Sequence, residues 1–202
     1  MRDEFKDKVF KADEIKGQEF VDCQFINCKF VGTNLRFTSF NKCVFRVCDL
    51  SLVSFDMTSF AGCSFPDSKL SNLDFSDVQI KNCNFSKTVM KNCVIQQLKA
   101  GSKNEKKKFD LSHSKFDGAD LSGTIFFLCE LKGVSFRKAN LENVVFDRCN
   151  LKEANLVNAN INAANLAESK IENTILDVEG FIAFGNSKGF ILEKLHIEAS
   201  KS

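Results

Sequence analysis

Large apolar residues recur at every fifth position along most of the chain. Stepping by five from Phe10 to Ile95 meets eighteen such residues in eighteen positions, and stepping from Leu111 to Leu176 meets fourteen in fourteen. A helix repeats every ~3.6 residues and a strand about every second residue, so neither produces this spacing. A chain that turns a corner every five residues does produce it. The pattern therefore predicts a coil with flat five-residue sides.

The residue two places before each large apolar residue is usually small, which predicts a second, smaller inward position on each side. All nine cysteines occupy it, at 23, 28, 43, 48, 63, 83, 93, 129 and 149. A structural zinc site needs four convergent ligands, usually in Cys-x2-4-Cys pairs, and these cysteines are instead spaced by five and twenty. We therefore interpret them as small apolar residues of the core, and we predict neither a metal site nor a disulfide framework.

The length of one turn is indicated by Cys23, Cys43, Cys63 and Cys83, which are spaced by twenty. Four sides of five residues would stack them in one column at the inter-strand distance of ~4.8 Å. The repeat is broken by "KAGSKNEKKK", residues 99–108. Removing six residues there brings Cys129 and Cys149 into the same column. This predicts a six-residue insertion, with Ala100 or a neighbour at an intervening inward position.

The segments "ADLSG", "ANLEN", "ANLVN" and "ANLAE" resemble the motif of the pentapeptide-repeat family over about residues 8–178. That resemblance implies an all-β fold, a right-handed quadrilateral β-helix (a pentapeptide-repeat solenoid), here of about eight coils, with a short C-terminal helix. We predict a β-helix over residues 1–178, with a loop insertion near 99–108, and a cap or dimerisation segment over residues 179–202.

The C-terminal stretch "NSKGFILEKLHIEAS" is predicted to form the short helix that covers the end of the coil, with Asn186 or Ser187 as its N-cap. It offers more apolar surface than a cap needs, which favours a homodimer through this end over a plain cap. The predicted dimer interface consists of Phe184, Phe190, Ile191, Leu192 and Leu195.

Two faces of the predicted coil differ in charge when columns are assigned with the six-residue insertion. One bears seven acidic residues against two basic ones, and its neighbour bears eight basic residues against three acidic ones. The acidic face is predicted to bind a partner through Asp56, Asp74, Asp77, Asp120 and Glu142.

The lysine-rich interruption has two interpretations, a solvated loop or a contact arm that projects from a regular rod. As an arm it would bind the partner through Lys103, Lys106, Lys107 and Lys108.

The sequence lacks the motifs that are typical of several classes of enzyme and binding protein. There are two histidines, no glycine-rich phosphate loop and no Ser-His-Asp pattern, so we predict no enzyme, no catalytic residue and no cofactor. The net charge of +2 favours neither direct nucleic-acid binding nor a membrane surface. The charged start "MRDEFKDKVF" does not resemble a secretory signal, and no later stretch is apolar enough to span a membrane, so we expect a cytoplasmic protein.

Within the family, the chain resembles the quinolone-resistance (Qnr-type) proteins in its size, in the loop near its middle and in the ending "FILEKLHIEA". The resemblance implies a homodimer that binds DNA gyrase and topoisomerase IV and protects them from fluoroquinolones, partly by mimicking DNA through one acidic face. The alternative is a non-catalytic interaction scaffold or effector with an unrelated partner. Outward apolar residues such as Phe37, Leu52, Met57 and Phe127 would serve that scaffold.

Overall fold

The structure, a computed structural model, describes residues 3–96, 109–166 and 168–193. The described residues form a parallel β-solenoid and one short C-terminal helix, which confirms the predicted right-handed quadrilateral β-helix. Its elements are β1 (Glu4–Lys6), β2 (Glu19–Val21), β3 (Gln24–Ile26), β4 (Ser39–Asn41), β5 (Val44–Arg46), β6 (Thr58–Ala61), β7 (Val78–Lys81), β8 (Val94–Ile95), β9 (Phe109–Asp110), β10 (Ile125–Phe127), β11 (Cys129–Glu130), β12 (Val145–Asp147) and α1 (Val178–Ser187).

The turn is twenty residues long, as predicted. Phe5 pairs with Phe25 and Phe25 with Phe45 in parallel register, and isolated bridges such as Lys29 to Asp49 keep the same offset. The coil therefore has four faces, which we name in chain order by the large inward residues at their centres. The first face is centred on 5, 25, 45, 65, 85, 116, 136, 156 and 176; the second on 10, 30, 50, 70, 90, 121, 141 and 161; the third on 15, 35, 55, 75, 95, 126, 146 and 166; the fourth on 20, 40, 60, 80, 111, 131, 151 and 171.

The core of the first face is a continuous stack of phenylalanine rings. From Phe5 to Phe136, ring centroids of successive coils are 4.7 to 5.2 Å apart with interplanar angles of 2° to 12°. Rings on adjacent faces meet edge to face, for example Phe25 and Phe30 at 5.5 Å. Both arrangements suit the quadrupole of the ring, so one residue type fills the same site many times.

The small inward residues also donate hydrogen bonds to the coil below. Thr38 Oγ1 donates to the Ile15 carbonyl at 2.8 Å, and Cys48 Sγ to the Phe25 carbonyl at 3.3 Å. Because the backbone turns a corner there, that carbonyl lies inside the coil and needs a donor. This explains why Cys, Ser and Thr, and not only Ala, occupy the small position.

A left-handed backbone forms most of the corners. At these corners the residue two places after the large inward one has a positive φ, as in Asn27 (51°) and Asn72 (58°). Gly, Asn and Asp suit this conformation, whereas Phe37 (59°), Val47 (55°) and Met57 (51°) adopt it at a cost of roughly 1–2 kcal/mol each.

The insertion is longer than the six residues predicted. Across it, Asn84 bridges Lys115 and Val89 bridges Asp120, so partners lie 31 residues apart and not 20, and the insertion adds eleven residues. The side centred on Leu111 thus occupies the fourth face of the coil that contains Ile95. Ala100, predicted at an intervening inward position, lies outside the described residues. Cys129 and Cys149 therefore belong to the fourth face, and not to the column of Cys23 on the first face.

The helix also differs from its prediction. Asp177 is the N-cap of α1, and its Oδ1 accepts a hydrogen bond from the Gly180 amide at 2.7 Å. At the other end, Gly189 (φ 86°) reverses the chain, and the Phe190 amide donates to the Gly185 carbonyl at 3.0 Å. Asn186 and Ser187 thus end a helix and do not begin one, so the predicted capping role is wrong.

Candidate functional site on the third face

The third face carries more acidic than basic side chains. Among the described residues it bears seven carboxylates against three cations. The carboxylates are Asp13, Glu14, Asp56, Asp74, Asp77, Asp147 and Glu168, and the cations are Lys16, Arg36 and Arg148. The acidic face predicted from the sequence therefore exists, although its membership in the C-terminal coils differs.

Asp120 and Glu142, both predicted on this face, lie on the second face. Asp120 bridges Val89, and Asn140, which precedes Leu141, bridges Asp120 in turn. Lys91 Nζ lies 2.9 Å from Asp120 Oδ2. Burial raises the pKa of Asp120, but the hydrogen bonds from Lys91 and Ser122 outweigh it, and the net pKa is lowered. The charge of Asp120 is therefore already compensated within this chain.

Asp147 and Glu168 are third-face acids that the sequence analysis missed. Phe127 pairs with Asp147 in the register of β10 and β12, which places both on the third face. Counting the insertion as six residues shifted every later column by one face. The same shift makes the predicted basic face wrong beyond the insertion. Lys115, Arg137 and Lys138 lie on the first face, whereas Lys29 and Lys69 lie on the second.

All three third-face cations form ion pairs on the face itself, and Lys16 Nζ lies 4.0 Å from Asp13 Oδ1. Arg36 Nε lies 2.7 Å from Asp56 Oδ2, and its guanidinium lies 4.7 Å from the centroid of the Phe37 ring. Arg148 repeats the arrangement in the C-terminal coils, where its Nε is 3.1 Å from Asp147 Oδ1 and its guanidinium is 4.5 Å from the Phe127 ring. Both arginines therefore join a carboxylate to an aromatic ring.

The third face also presents exposed apolar side chains. Phe37 is 50% exposed and Met57 is 62% exposed on successive coils, and Ile125 is 40% exposed further along. The Phe37 amide donates to the Asp56 carbonyl at 2.9 Å, so Phe37 and Met57 occupy neighbouring levels of one corner. The face thus combines carboxylates with apolar side chains.

The lysine-rich insertion begins after a third-face side and returns on a fourth-face side, at Phe109. Its predicted contact residues Lys103, Lys106, Lys107 and Lys108 lie outside the described residues.

The C-terminal end presents a second candidate surface. Phe190 is 73%, Ile191 94% and Leu192 69% exposed, and they line an apolar groove of about 380 Å³ with Phe181. Phe184 differs from the other predicted interface residues because it is half-buried and packs against the core. Leu195, also predicted for the dimer interface, lies outside the described residues.

The cysteines are buried free thiols, as the small-inward interpretation predicted. Burial raises the pKa of Cys48 to about 12 and that of Cys93 to about 11, so these thiols are poor nucleophiles near neutral pH. In the part of the chain that the structure describes, no three His, Cys, Asp or Glu side chains are grouped so that they could hold a metal ion. Over the same residues, no helix has the length and apolarity to cross a membrane.

Comparison with known proteins identifies the fold family. The model of the pentapeptide repeats matches in eight copies over residues 19–56, 48–86, 58–97, 110–143, 129–167 and 139–177. No curated protein sequence matches the chain.

Solved structures share the fold at low sequence identity. Full-length QnrB1, a plasmid-mediated fluoroquinolone resistance protein, superposes with a TM-score of 0.70 at 16% identity, covering 94% of this chain and 99% of QnrB1. A pentapeptide repeat protein from the cyanobacterium Cyanothece 51142 has a TM-score of 0.50 at 20% identity, covering 59% of this chain and 88% of its own. The repeat matches span more than half of the sequence, and the chain therefore belongs to the pentapeptide-repeat family.

Proposed function

We propose that this protein binds DNA gyrase or topoisomerase IV and protects it from fluoroquinolones, with the third face as the docking surface. The observation that carries the proposal is the acidic third face of a solenoid whose fold resembles that of QnrB1 along nearly its whole length. The DNA gate of these enzymes must attract a polyanion, so an acidic rod face is complementary to it in charge.

The proposed mimicry is local and does not involve the whole rod. Duplex DNA carries one charge per ~1.7 Å of axis, whereas the described third face carries seven carboxylates, of which five form ion pairs with arginine or lysine. Asp74 and Asp77 lie together on one side of the coil, next to the apolar corner. We therefore assign docking to a patch around Asp56, Asp74 and Asp77, with competition for the gate as the mechanism.

A homodimer through the C-terminal end would present two such patches about a two-fold axis. The target enzymes are themselves two-fold, so both patches could engage together, and a second contact would strengthen binding through effective concentration. The exposed groove at Phe190, Ile191 and Leu192 supports this arrangement. We propose the lysine-rich insertion as an auxiliary contact.

The test is a gyrase supercoiling assay with ciprofloxacin present. Wild-type protein at micromolar concentration is expected to restore supercoiling, and the double variant Asp74→Asn/Asp77→Asn is expected to lose most of that effect. Asp120→Asn/Glu142→Gln is a matched control, because it removes two carboxylates from the neighbouring second face. No rescue and no gyrase binding by the wild type would refute the proposal, and equal losses in the two double variants would remove the third face from it.

The second candidate function is an interaction scaffold with an unrelated partner, which the exposed apolar side chains favour. Phe37, Leu52 and Met57 are 50%, 67% and 62% exposed. Absence of gyrase and topoisomerase IV binding, with a different protein retained by the immobilised wild type and lost in a Phe37→Asn/Met57→Asn variant, would favour this function.

A further inference from the structure

Phe37 and Met57 form an exposed apolar pair where the backbone favours other residues. Both have positive φ, 59° and 51°, and most other corners of the described solenoid carry Gly, Asn, Asp or Lys. A bulky apolar residue at positive φ is uncommon, and such conformations cluster at binding sites. The pair lies on one corner of successive coils, so the two side chains form one patch. Val47 has the same backbone but stands alone on a different corner.

The Phe37 ring is held in place before any partner arrives. The Arg36 guanidinium lies 4.7 Å from its centroid, and the same guanidinium lies 2.7 Å from the Asp56 carboxylate. Arginine stacked on an aromatic ring and fixed by a carboxylate loses less freedom on binding than a free side chain. Aromatic residues, Met and Arg are also the residue types enriched at the centres of protein interfaces.

The surroundings of this pair are acidic. On the third face from residue 13 to residue 77, Asp13, Glu14, Asp56, Asp74 and Asp77 outnumber Lys16 and Arg36. A partner complementary to the patch would have a basic surface around an apolar socket. Duplex DNA offers no such socket, so the patch fits a protein surface and not a nucleic acid.

We propose that Phe37 and Met57 are the apolar anchors of the docking surface, inserted into a socket within a basic protein surface. The identity of the basic surface of the partner rests on the proposed function. Under that function it is the DNA-binding region of gyrase. The carboxylates set orientation and association rate, whereas the anchors keep the complex from dissociating. The two contributions differ in salt dependence, because screening weakens contacts between charges and leaves apolar burial in place.

The experiment measures the affinity of the wild type and three variants for immobilised gyrase holoenzyme by biolayer interferometry, at 0.1 M and 0.5 M NaCl. Phe37→Asn/Met57→Asn is expected to bind at least tenfold more weakly at both salt concentrations, mainly through faster dissociation. Asp74→Asn/Asp77→Asn is expected to bind more weakly at 0.1 M, with a smaller difference at 0.5 M. Val47→Asn, the matched control, is expected to bind within twofold of the wild type.

The melting temperatures of the same variants serve as the control for loss of folding. Asn occupies this left-handed conformation at Asn27, Asn72 and Asn82, so the Asn variants are expected to melt at or above the wild-type temperature. Weaker binding together with unchanged or raised stability cannot come from unfolding.

The outcomes separate the two proposals. If the wild type binds and the Phe37→Asn/Met57→Asn variant binds within twofold of it, the anchors are wrong and the acidic docking surface stands. If Val47→Asn weakens binding as much as the anchor variant does, the assignment to this corner is also wrong. If the wild type does not bind gyrase at all, both the proposed function and these anchors are refuted.

Discussion

The two ends of the solenoid differ in how the core of the terminal coil is covered: polar and charged side chains surround it at the N-terminal end, and an apolar helix packs on it at the C-terminal end. At the N-terminal end the small inward positions hold Asp3, Lys8, Asp13 and Gln18, and Lys8 Nζ lies 2.7 Å from Glu14 Oε1 and 4.7 Å from the Phe10 centroid. Phe10 and Ile15 are buried there, although they belong to the first coil. Among the described residues, polar and charged side chains thus surround the buried Phe10 and Ile15 at this end.

At the C-terminal end the same positions hold Ala159, Ala164, Ser169 and Thr174. Helix α1 packs Ala183 and Phe184 against the last coil but leaves Ile171 43% and Phe181 68% exposed. An apolar cavity of about 590 Å³ opens between this coil and the helix. Charge at one end opposes end-to-end stacking, whereas the apolar surface at the other is where the proposed homodimer would form.

The largest expected effect tests this comparison with one substitution made at both ends. Ile15→Ala removes a residue that is 2% exposed and should cost about 2–5 kcal/mol of unfolding free energy, because it leaves a cavity. Ile171→Ala removes a residue that is 43% exposed and should cost about 1 kcal/mol in the monomer. Urea denaturation at low protein concentration measures both. Equal costs would mean that the two ends are equally closed.

The second prediction places a charge at each end. Ile191→Asp should weaken the proposed dimer about a hundredfold, equivalent to about 2.7 kcal/mol, since a carboxylate would have to be desolvated in the interface. Val9→Asp is the matched control, because Val9 is 65% exposed on the opposite end of the rod. Sedimentation equilibrium of both variants and the wild type gives the dissociation constants. A monomeric wild type, or a dimer disrupted by Val9→Asp, would contradict the assignment.

The smallest effect concerns acid stability, which is tested with one carboxylate at each end. The hydrogen bond from Lys8 lowers the pKa of Glu14 from its ordinary 4.5, and backbone amides of Gly180 and Asn158 lower that of Asp177 from 3.8. Because both pKa values are lowered by folding, each stabilising contribution is complete above the ordinary value and is lost as the pH falls through the lowered one.

Native-state hydrogen exchange between pH 3 and 6 localises these two losses. Glu14→Gln should reduce the pH dependence of amide protection in the first coil only. Asp177→Asn, which can still cap α1, should reduce it in the helix only. A variant that changed protection at both ends equally would show that the ends are coupled through the rod.

The fold follows from the sequence because one physical requirement repeats. Each side needs one large inward residue, and 32 positions, in two runs of eighteen and fourteen, meet that need. The size of the insertion does not follow, because every side has a small position and a cysteine suits any of them. Cys129 and Cys149 therefore fitted the column of Cys23 as well as their own. Only the pairing between coils, such as Asn84 with Lys115, distinguishes the alternatives.

The candidate site was predictable up to the insertion and not beyond it. Asp56, Asp74 and Asp77 were placed on the right face because twenty-residue counting is unbroken there, whereas Asp120 and Glu142 were misplaced by one face. The helix was misplaced for a different reason. The apolar residues Phe190 and Ile191 continue a helical pattern past Gly189, whose positive φ ends the helix. The signal for the start of the helix is Asp177, an N-cap residue whose carboxylate accepts a hydrogen bond from the amide three residues later, that of Gly180.

The aromatic stack crosses the insertion without a break. Phe85 and Phe116, on either side of it in sequence, are 5.2 Å apart at 12°, the same as Phe116 and Phe136 one coil later. The packing of the core is therefore unaffected by the eleven added residues. A longer segment would cost only loop-closure entropy, about 0.6 kcal/mol for each doubling of its length. This position is therefore a tolerant insertion site, both in evolution and in protein engineering. A foreign recognition sequence can be grafted there while the rod keeps its shape.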